Sequence, residues 1–510
     1  MLHAIHWRRR EVESGMLTNC LWIEKLRNIF LGIFLVFFAQ LTLPILFEFK
    51  INQNFWYIVI AIVFYFLNVD LKNTEKLAKN AFFLILSFGT VIALIRPVQY
   101  ALDEESHLSN AIGISDSFLF KYSQEELKDY DSVFLHDGIR NQANYKGDAY
   151  WYSVEHQESE VSGKPKGFDN PAFIPGAIGW IVGRLVSNKV YISYYLGRLF
   201  HVLAYALLVF FALRISKVYQ ELIYLMGTLS SAVYVISGYH YDYLYYGASL
   251  LILAMLTNVL ANKEKITISY AIRFQAIVLL FAFSKFPLVL VGTMILALPN
   301  NYYDSKKAKF FSFGMFGITF LLALMYAGII KLFNVDGSVT ANSPGILYFL
   351  LHPLPIFRTL INAPVAILDN FVKQPLQYVS HQSVILNVSM IISFLFSMFM
   401  VALRTRIKVP TLFKYFSFIL LLGISVLIIF AITGDTRVYQ PGNIIVGGVQ
   451  GRYYYLMMCF IPLFLGDWLR KSTGLMIKST ADGENFVTIL QYMNSFLLIF
   501  AVSVGFYTQI

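Results

Sequence analysis

Apolar residues gather in runs of about 20, the length that carries a helix across a bilayer. The runs fall at 28–48, 54–70, 81–98, 190–214, 220–238, 243–261, 310–332, 384–403, 412–432, 452–469 and 486–507. A further apolar stretch, 271–299, is too long for one span and is interrupted at Lys285 and Pro287. Proline disfavours helix in the residue before it, so the stretch reads as two short helices in a hairpin with Lys285-Phe286-Pro287 at its tip. With the hairpin as two crossings, about 13 result. The pattern predicts an all-α polytopic membrane protein with extracytoplasmic loops.

The polar positions between the runs set the orientation. Arg8–Arg27, Lys72/Lys76/Lys79, Arg214/Lys217, Lys263/Lys265, Lys306/Lys307/Lys309, Arg404/Arg406/Lys408 and Arg470/Lys471 share one side only if the hairpin crosses twice. That side is cytoplasmic by the positive-inside rule. The reading divides the chain into a basic tail (1–27), three first spans (28–98), a large outer loop (99–189), central spans with the hairpin (190–332), a second outer loop (333–383) and C-terminal spans (384–510). The second loop contains an amphipathic stretch from Leu351 to Val372, and the last section a Gly-rich outer loop, 433–451.

Composition agrees. Hydrophobic residues make up 57% of the 510 and charged residues 14%, against about 25% charged in soluble domains. A soluble enzyme, a disordered chain and a disulfide scaffold are excluded. The net charge of +10 at first suggests nucleic acid, but its distribution speaks for topology instead. Residues 99–170 hold 14 acids and 6 bases, and the basic excess lies in the short loops. Cys20, in the basic tail, and Cys459, inside an apolar run, predict no disulfide and no cysteine metal site.

Two constellations carry candidate chemistry. Asp103-Glu104-Glu105-Ser106-His107 follows the third span. An acidic pair at the mouth of a membrane protein can accept a proton from a hydroxyl or offer hard oxygen ligands to a divalent cation. The bland alternative is a solvated loop with acids at a helix start. The second set is cationic: Arg198 about two turns into a span, Lys285 at the hairpin tip and Arg452 at an outer span end. Ionisable groups in spans are costly and usually functional or paired, although Lys285 and Arg452 are close enough to the interface to snorkel. Asp242 sits among Tyr239, Tyr241, Tyr243, Tyr245 and Tyr246, tyrosines that read first as an interface belt. His201 reads as a packed polar contact. His136, His156, His352 and His381 show no metal-ligand spacing, and there is no P-loop or dinucleotide fingerprint, so no cofactor is assigned; a divalent cation at the acids stays an open alternative.

In order along the chain, several segments resemble a family of multi-spanning bacterial membrane proteins found with polysaccharide genes. They are Leu102-Asp103-Glu104-Glu105-Ser106-His107, Asn170-Pro171-Ala172-Phe173-Ile174-Pro175-Gly176, Tyr195-Leu196-Gly197-Arg198-Leu199, Gly238-Tyr239-His240-Tyr241-Asp242, Ser284-Lys285-Phe286-Pro287 and Val449-Gln450-Gly451-Arg452-Tyr453-Tyr454. The last is the most specific, and the likeness covers about 81–470. That family in turn resembles the GT-C superfamily of lipid-phosphate-sugar-dependent glycosyltransferases. This chain departs from its pattern in having two extra leading spans and a degenerate second segment.

The resemblance implies a GT-C-like helical bundle in the bacterial cytoplasmic membrane with its active site facing outward. It implies transfer of a sugar from a polyprenyl-phosphate donor to a lipid-linked or surface glycan, with Asp103 or Glu104 as general base. His107, Arg198, Asp242, Lys285, Gln450, Arg452 and Tyr453 would bind substrate. Membrane lipids are the other expected partner, and nucleic acid is not one. The competing readings are a flippase or transporter for lipid-linked sugars, a polysaccharide polymerase or ligase, and a non-catalytic assembly protein. A transporter would favour charges at the midplane and two pseudo-symmetric halves, and neither is visible.

Overall fold

A computed structural model of the chain describes residues 22–39, 41, 55–96, 98, 103–119, 129, 132–133, 149–157, 171–333, 345–373, 384–404, 407–474 and 480–508. Residues 1–21 with Cys20, and His136 and His381, lie outside the described residues.

The described residues are mainly helical and form no strand beyond two isolated bridges, Glu155 with Lys189 and Ile266 with Tyr303. In chain order the helices are α1 (22–39), α2 (Trp56–Asn68), α3 (Leu77–Ile95), α4 (Glu104–Leu119), α5 (Ala149–Ser153), α6 (Ile174–Val186), α7 (Val190–Ile215), α8 (Gln220–Gly227), α9 (Ser230–Ile236), α10 (Asp242–Leu260) and α11 (Ile268–Ser284). A 3-10 helix, Phe286–Ala297, leads to α12 (Lys306–Phe333), α13 (Ile346–Leu351), α14 (Leu354–Ile361), α15 (Ala363–Ile367), α16 (Val384–Arg404), α17 (Thr411–Ile432), α18 (Tyr455–Thr473) and α19 (Thr480–Thr508). Seven of the described helices are long and apolar enough to cross a membrane: Thr74–Ile95, Val190–Ile215, Asp242–Leu260, Lys306–Gly328, Leu386–Arg404, Thr411–Ile432 and Glu484–Val504. Each falls on an expected run.

Two of the remaining stretches depart from expectation in part. The 220–238 run is not one helix. It is split into α8 and α9 around Thr228-Leu229, where the Thr228 hydroxyl donates back to the Tyr224 carbonyl and the Asn494 side chain of α19 donates to that hydroxyl, 2.8 Å away. The 271–299 stretch does fold back at Lys285. Gln275 Nε2 on the first arm donates to the Gly292 carbonyl on the second at 3.0 Å, and the two ends meet where Ile266 bonds Tyr302 and Asp304. The second arm, however, is a 3-10 helix, a tighter winding that gains length per residue at some cost in bond geometry.

Helix α10 forms the axis of the bundle. Its apolar residues surround it on all sides, as expected for a helix without a lipid-facing surface, and nearly all of it is buried. Helices α3, α7, α11 and α18 pack around it or its neighbours. The helix ends then sort into two groups. At one end, Lys217 reaches the Lys263 carbonyl, Asn258 bonds the Ile215 carbonyl, and Ile266 meets Tyr302. At the other lie the C-terminus of α3 and the N-termini of α4, α7, α10 and α18, joined by the polar contacts described below. Because residues 263–266 and 302–304 share the basic end, a topology reporter fused after Asn301 is expected to give a cytoplasmic signal. A periplasmic signal there would undo the double crossing and reverse everything after it.

Candidate functional site

The second end of the bundle holds two buried charge centres that adjoin at Asp103-Glu104. The first is built on Glu104, at the start of α4. Its two carboxylate oxygens receive Arg198 Nε and Nη2 at 2.8 and 2.7 Å, the Tyr194 hydroxyl at 2.8 Å and the Tyr239 N–H at 3.3 Å. Arg198 Nη1 donates to the carbonyls of Ala93 and Arg96, at 3.0 and 2.8 Å. The guanidinium thus uses its planar fork to tie α4 and the end of α3 to α7. Arg96 lies over the Tyr234 ring and donates to the Tyr234 carbonyl. Burial opposes ionisation of Glu104, but the charge and hydrogen bonds of Arg198 outweigh it and hold the carboxyl below its usual range.

The second centre is built on Asp242, the first residue of α10. Lys285 Nζ donates to its Oδ1 at 2.6 Å, and Arg452 Nε lies 3.4 Å from its Oδ2. Lys285 is also enclosed by aromatic faces, 4.6 Å from the ring centroids of Tyr241 and Tyr245 and 5.4 Å from that of Tyr453. Such contacts favour a desolvated cation. Arg452, 2% exposed, further reaches His240 Nε2 at 3.0 Å and Asp103 Oδ2 at 3.3 Å. The break between α11 and the 3-10 helix therefore has a clear local purpose: the turn points Lys285 at α10.

Asp103 differs from every other charged member of the cluster because its side chain is 63% exposed. Its backbone has φ of +49°, a left-handed conformation that aspartate tolerates better than most residues but that still stores strain. From there its carbonyl accepts the His107 N–H, starting α4. His107 lies on the same face, its ring 4.7 Å from that of His240 and 5.4 Å from that of Phe173. Burial pushes the pKa of His107 down to about 4, and the nearby carboxylates Asp103 and Asp242 oppose that shift. His240 is lowered in the same sense, by burial and then by the Arg452 charge.

Asp103, His107 and His240 place one ligand atom each within 4.8 Å of one another, and His107 Nε2 is buried without a hydrogen-bond partner. This donor set fits a divalent ion. The guanidinium of Arg452 faces two of the three ligands, so an ion and Arg452 would compete for Asp103 and His240.

Sequence reasoning brought the right segments together and misjudged several environments. Asp103, His107, Asp242, Lys285, Arg452 and Tyr453 do meet. Arg198 adjoins them, but it is turned to Glu104 and fully buried. Asp103 and Glu104 read from sequence as one acidic pair at the mouth of the protein, but Glu104 is buried with Arg198. One residue decides the difference: the left-handed turn at Asp103 sends the two neighbouring carboxylates in different directions. Tyr239, Tyr243, Tyr245 and Tyr246 are core residues, not an interface belt, because α10 has no lipid-facing side. Gln450 precedes the 3-10 turn Gly451–Tyr454 and is half-buried. His240 is a site residue that the candidate set lacks; its position two residues before Asp242 is the signal in the sequence that points to it. His201 is packed and buried between Tyr239 and Tyr243, but neither ring nitrogen has a hydrogen-bond partner, so the expected polar contact is not made.

Separating the two acids yields a direct test. Glu104→Gln leaves Arg198 buried without its counter-charge, which typically costs about 3–5 kcal/mol, so the purified protein should melt at clearly lower temperature. Asp103→Asn should melt almost as the parent does. Equal melting of the parent and the Glu104→Gln protein would show that the buried pair contributes little to stability.

No curated protein and no solved structure matches the chain. The family of predicted membrane proteins designated DUF2142 matches it over residues 86–461. That interval contains both charge centres, the hairpin and Arg452, and the chain belongs to this family of predicted membrane proteins.

Proposed function

We propose that the chain is a membrane glycosyltransferase of GT-C type, moving a sugar from a polyprenyl-phosphate donor to a cell-envelope glycan at the outer face of a bacterial cytoplasmic membrane. One observation carries the reading: an exposed carboxylate, Asp103, touches Arg452 of the Arg452–Asp242–Lys285 cluster at the ends of the spans. Asp103 takes the proton of the acceptor hydroxyl. The hydroxyl oxygen attacks the anomeric carbon, the bond from that carbon to the phosphate oxygen breaks, and polyprenyl phosphate leaves with the electron pair. Arg452 and Lys285 face the growing negative charge. An attraction of this kind is worth about 4 kcal/mol at 4 Å and an effective dielectric of 20, enough to affect both donor binding and departure. Glu104 does not touch the reactants in this scheme. It and Arg198 fix the start of α4 and thereby position Asp103.

The test compares the surface glycan made by cells carrying the parent protein, no protein, or single variants, using mass spectrometry. Asp103→Asn should reduce transfer by about 10²–10⁴-fold, the usual contribution of a general base, at a normal protein level. Arg452→Lys keeps the charge but loses the fork, so it should weaken transfer, and Arg452→Ala should weaken it more. Normal glycan from Asp103→Asn would remove the base from this site and favour a transport or assembly role.

A further inference from the structure

The amphipathic second loop is not used by the chemistry above. Its helices α13, α14 and α15 pack through one face only. Phe349 of α13 and Ile356 of α14 are buried with Ile429, Tyr439 and Val446, and the Phe349 ring lies 5.7 Å from that of Phe430. Ile429 and Phe430 belong to the last turn of α17, a helix long and apolar enough to cross the membrane. The opposite face presents Leu350, Leu351, Leu354, Phe357, Ile361 and Val365, with Leu350 71% and Ile361 78% exposed. Arg358 is exposed beside them.

Two facts name the occupant of this face. Its level is set by the end of a membrane-crossing helix, where hydrocarbon gives way to headgroups. It also sits on α17, whose Leu412, Ile419 and Leu427 are themselves exposed apolar residues. A row of large apolar side chains with an arginine alongside, at that depth, matches helices that lie in the membrane interface.

We infer that residues 346–372 are seated in the headgroup–acyl boundary of the bilayer on the side of the candidate site, and that they hold the Arg452 segment at that depth. The second half follows from two bonds. Thr359 Oγ1 of α14 accepts the Val446 N–H at 2.9 Å, and Asn370 Oδ1 accepts the Gly451 N–H at 2.6 Å. A Cβ on Gly451 would lie 2.3 Å from the Ala366 carbonyl oxygen, so the segment presses directly on the residue before Arg452. The inference does not depend on the transfer reaction.

The experiment uses the full chain in nanodiscs of phosphatidylethanolamine and phosphatidylglycerol, with Cys20→Ser as background and buried Cys459 retained. Spin labels are placed through Leu354→Cys, Phe357→Cys and Ile361→Cys, with Ile419→Cys as lipid reference and Arg437→Cys as water reference. Oxygen collisions should exceed those of a water-soluble nickel chelate at all three test positions, as at Ile419, with the ratio inverted at Arg437. Nickel accessibility at Phe357 and Ile361 equal to that at Arg437 would overturn the seating. So would dipolar broadening between labels, which would mark the face as a contact between two copies. For the second half, Phe357→Asp should speed amide exchange at Val446–Arg452, and unchanged exchange would overturn the coupling.

Discussion

The ion pair between Glu104 and Arg198 is the constraint on which the site depends. Both charges are fully removed from water, a state that is unfavourable unless every donor and acceptor finds a partner. The partners that the fold supplies come from α3, α7 and the turn before α10, so the pair cannot form until those elements have met. A buried pair of this kind adds little to stability compared with an apolar substitute, but it rejects arrangements that leave either charge alone. It therefore acts mainly as a register pin for the start of α4.

What it pins is the neighbouring residue. With Glu104 drawn inward, the chain turns left-handed at Asp103 and that carboxylate faces water while touching Arg452. The two centres thus have different tasks although their acids are adjacent in sequence. The inner one is closed by fixed partners, whereas the outer one keeps an open, ionisable side.

Close helix approach makes this possible. A Cβ on Gly197 would fall 1.7 Å from the Tyr239 hydroxyl oxygen, so α7 can bring Arg198 to Glu104 only because position 197 has no side chain. In a membrane, small residues of this sort permit packing that apolar burial alone does not drive. Tyr239 uses the space to donate to the Tyr194 carbonyl at 3.1 Å, and its backbone reaches Glu104. The residue beside the key arginine is thus as much a part of the site as the arginine.

Much of this was legible in the linear sequence. Apolar runs located the long helices, because helix length is set by bilayer thickness and needs no partner to be specified. The interruption at Lys285-Phe286-Pro287 located the fold-back, because proline acts on its own backbone and that of its neighbour. Charged residues beside apolar runs located the site segments, because a charge near hydrocarbon needs a partner. What the sequence could not decide was which partner each charge takes. Asp103 and Glu104 have the same chemistry and adjacent positions, and only the turn between them makes one buried and the other exposed. The tyrosines around Asp242 read from sequence as an interface belt, and the packing of other helices around α10 makes most of them core instead. Pairings such as Lys285 with Asp242, or Arg452 with His240, join residues 43 and 212 positions apart. Such distances are closed by helix packing, which is a property of the whole bundle and of no segment within it.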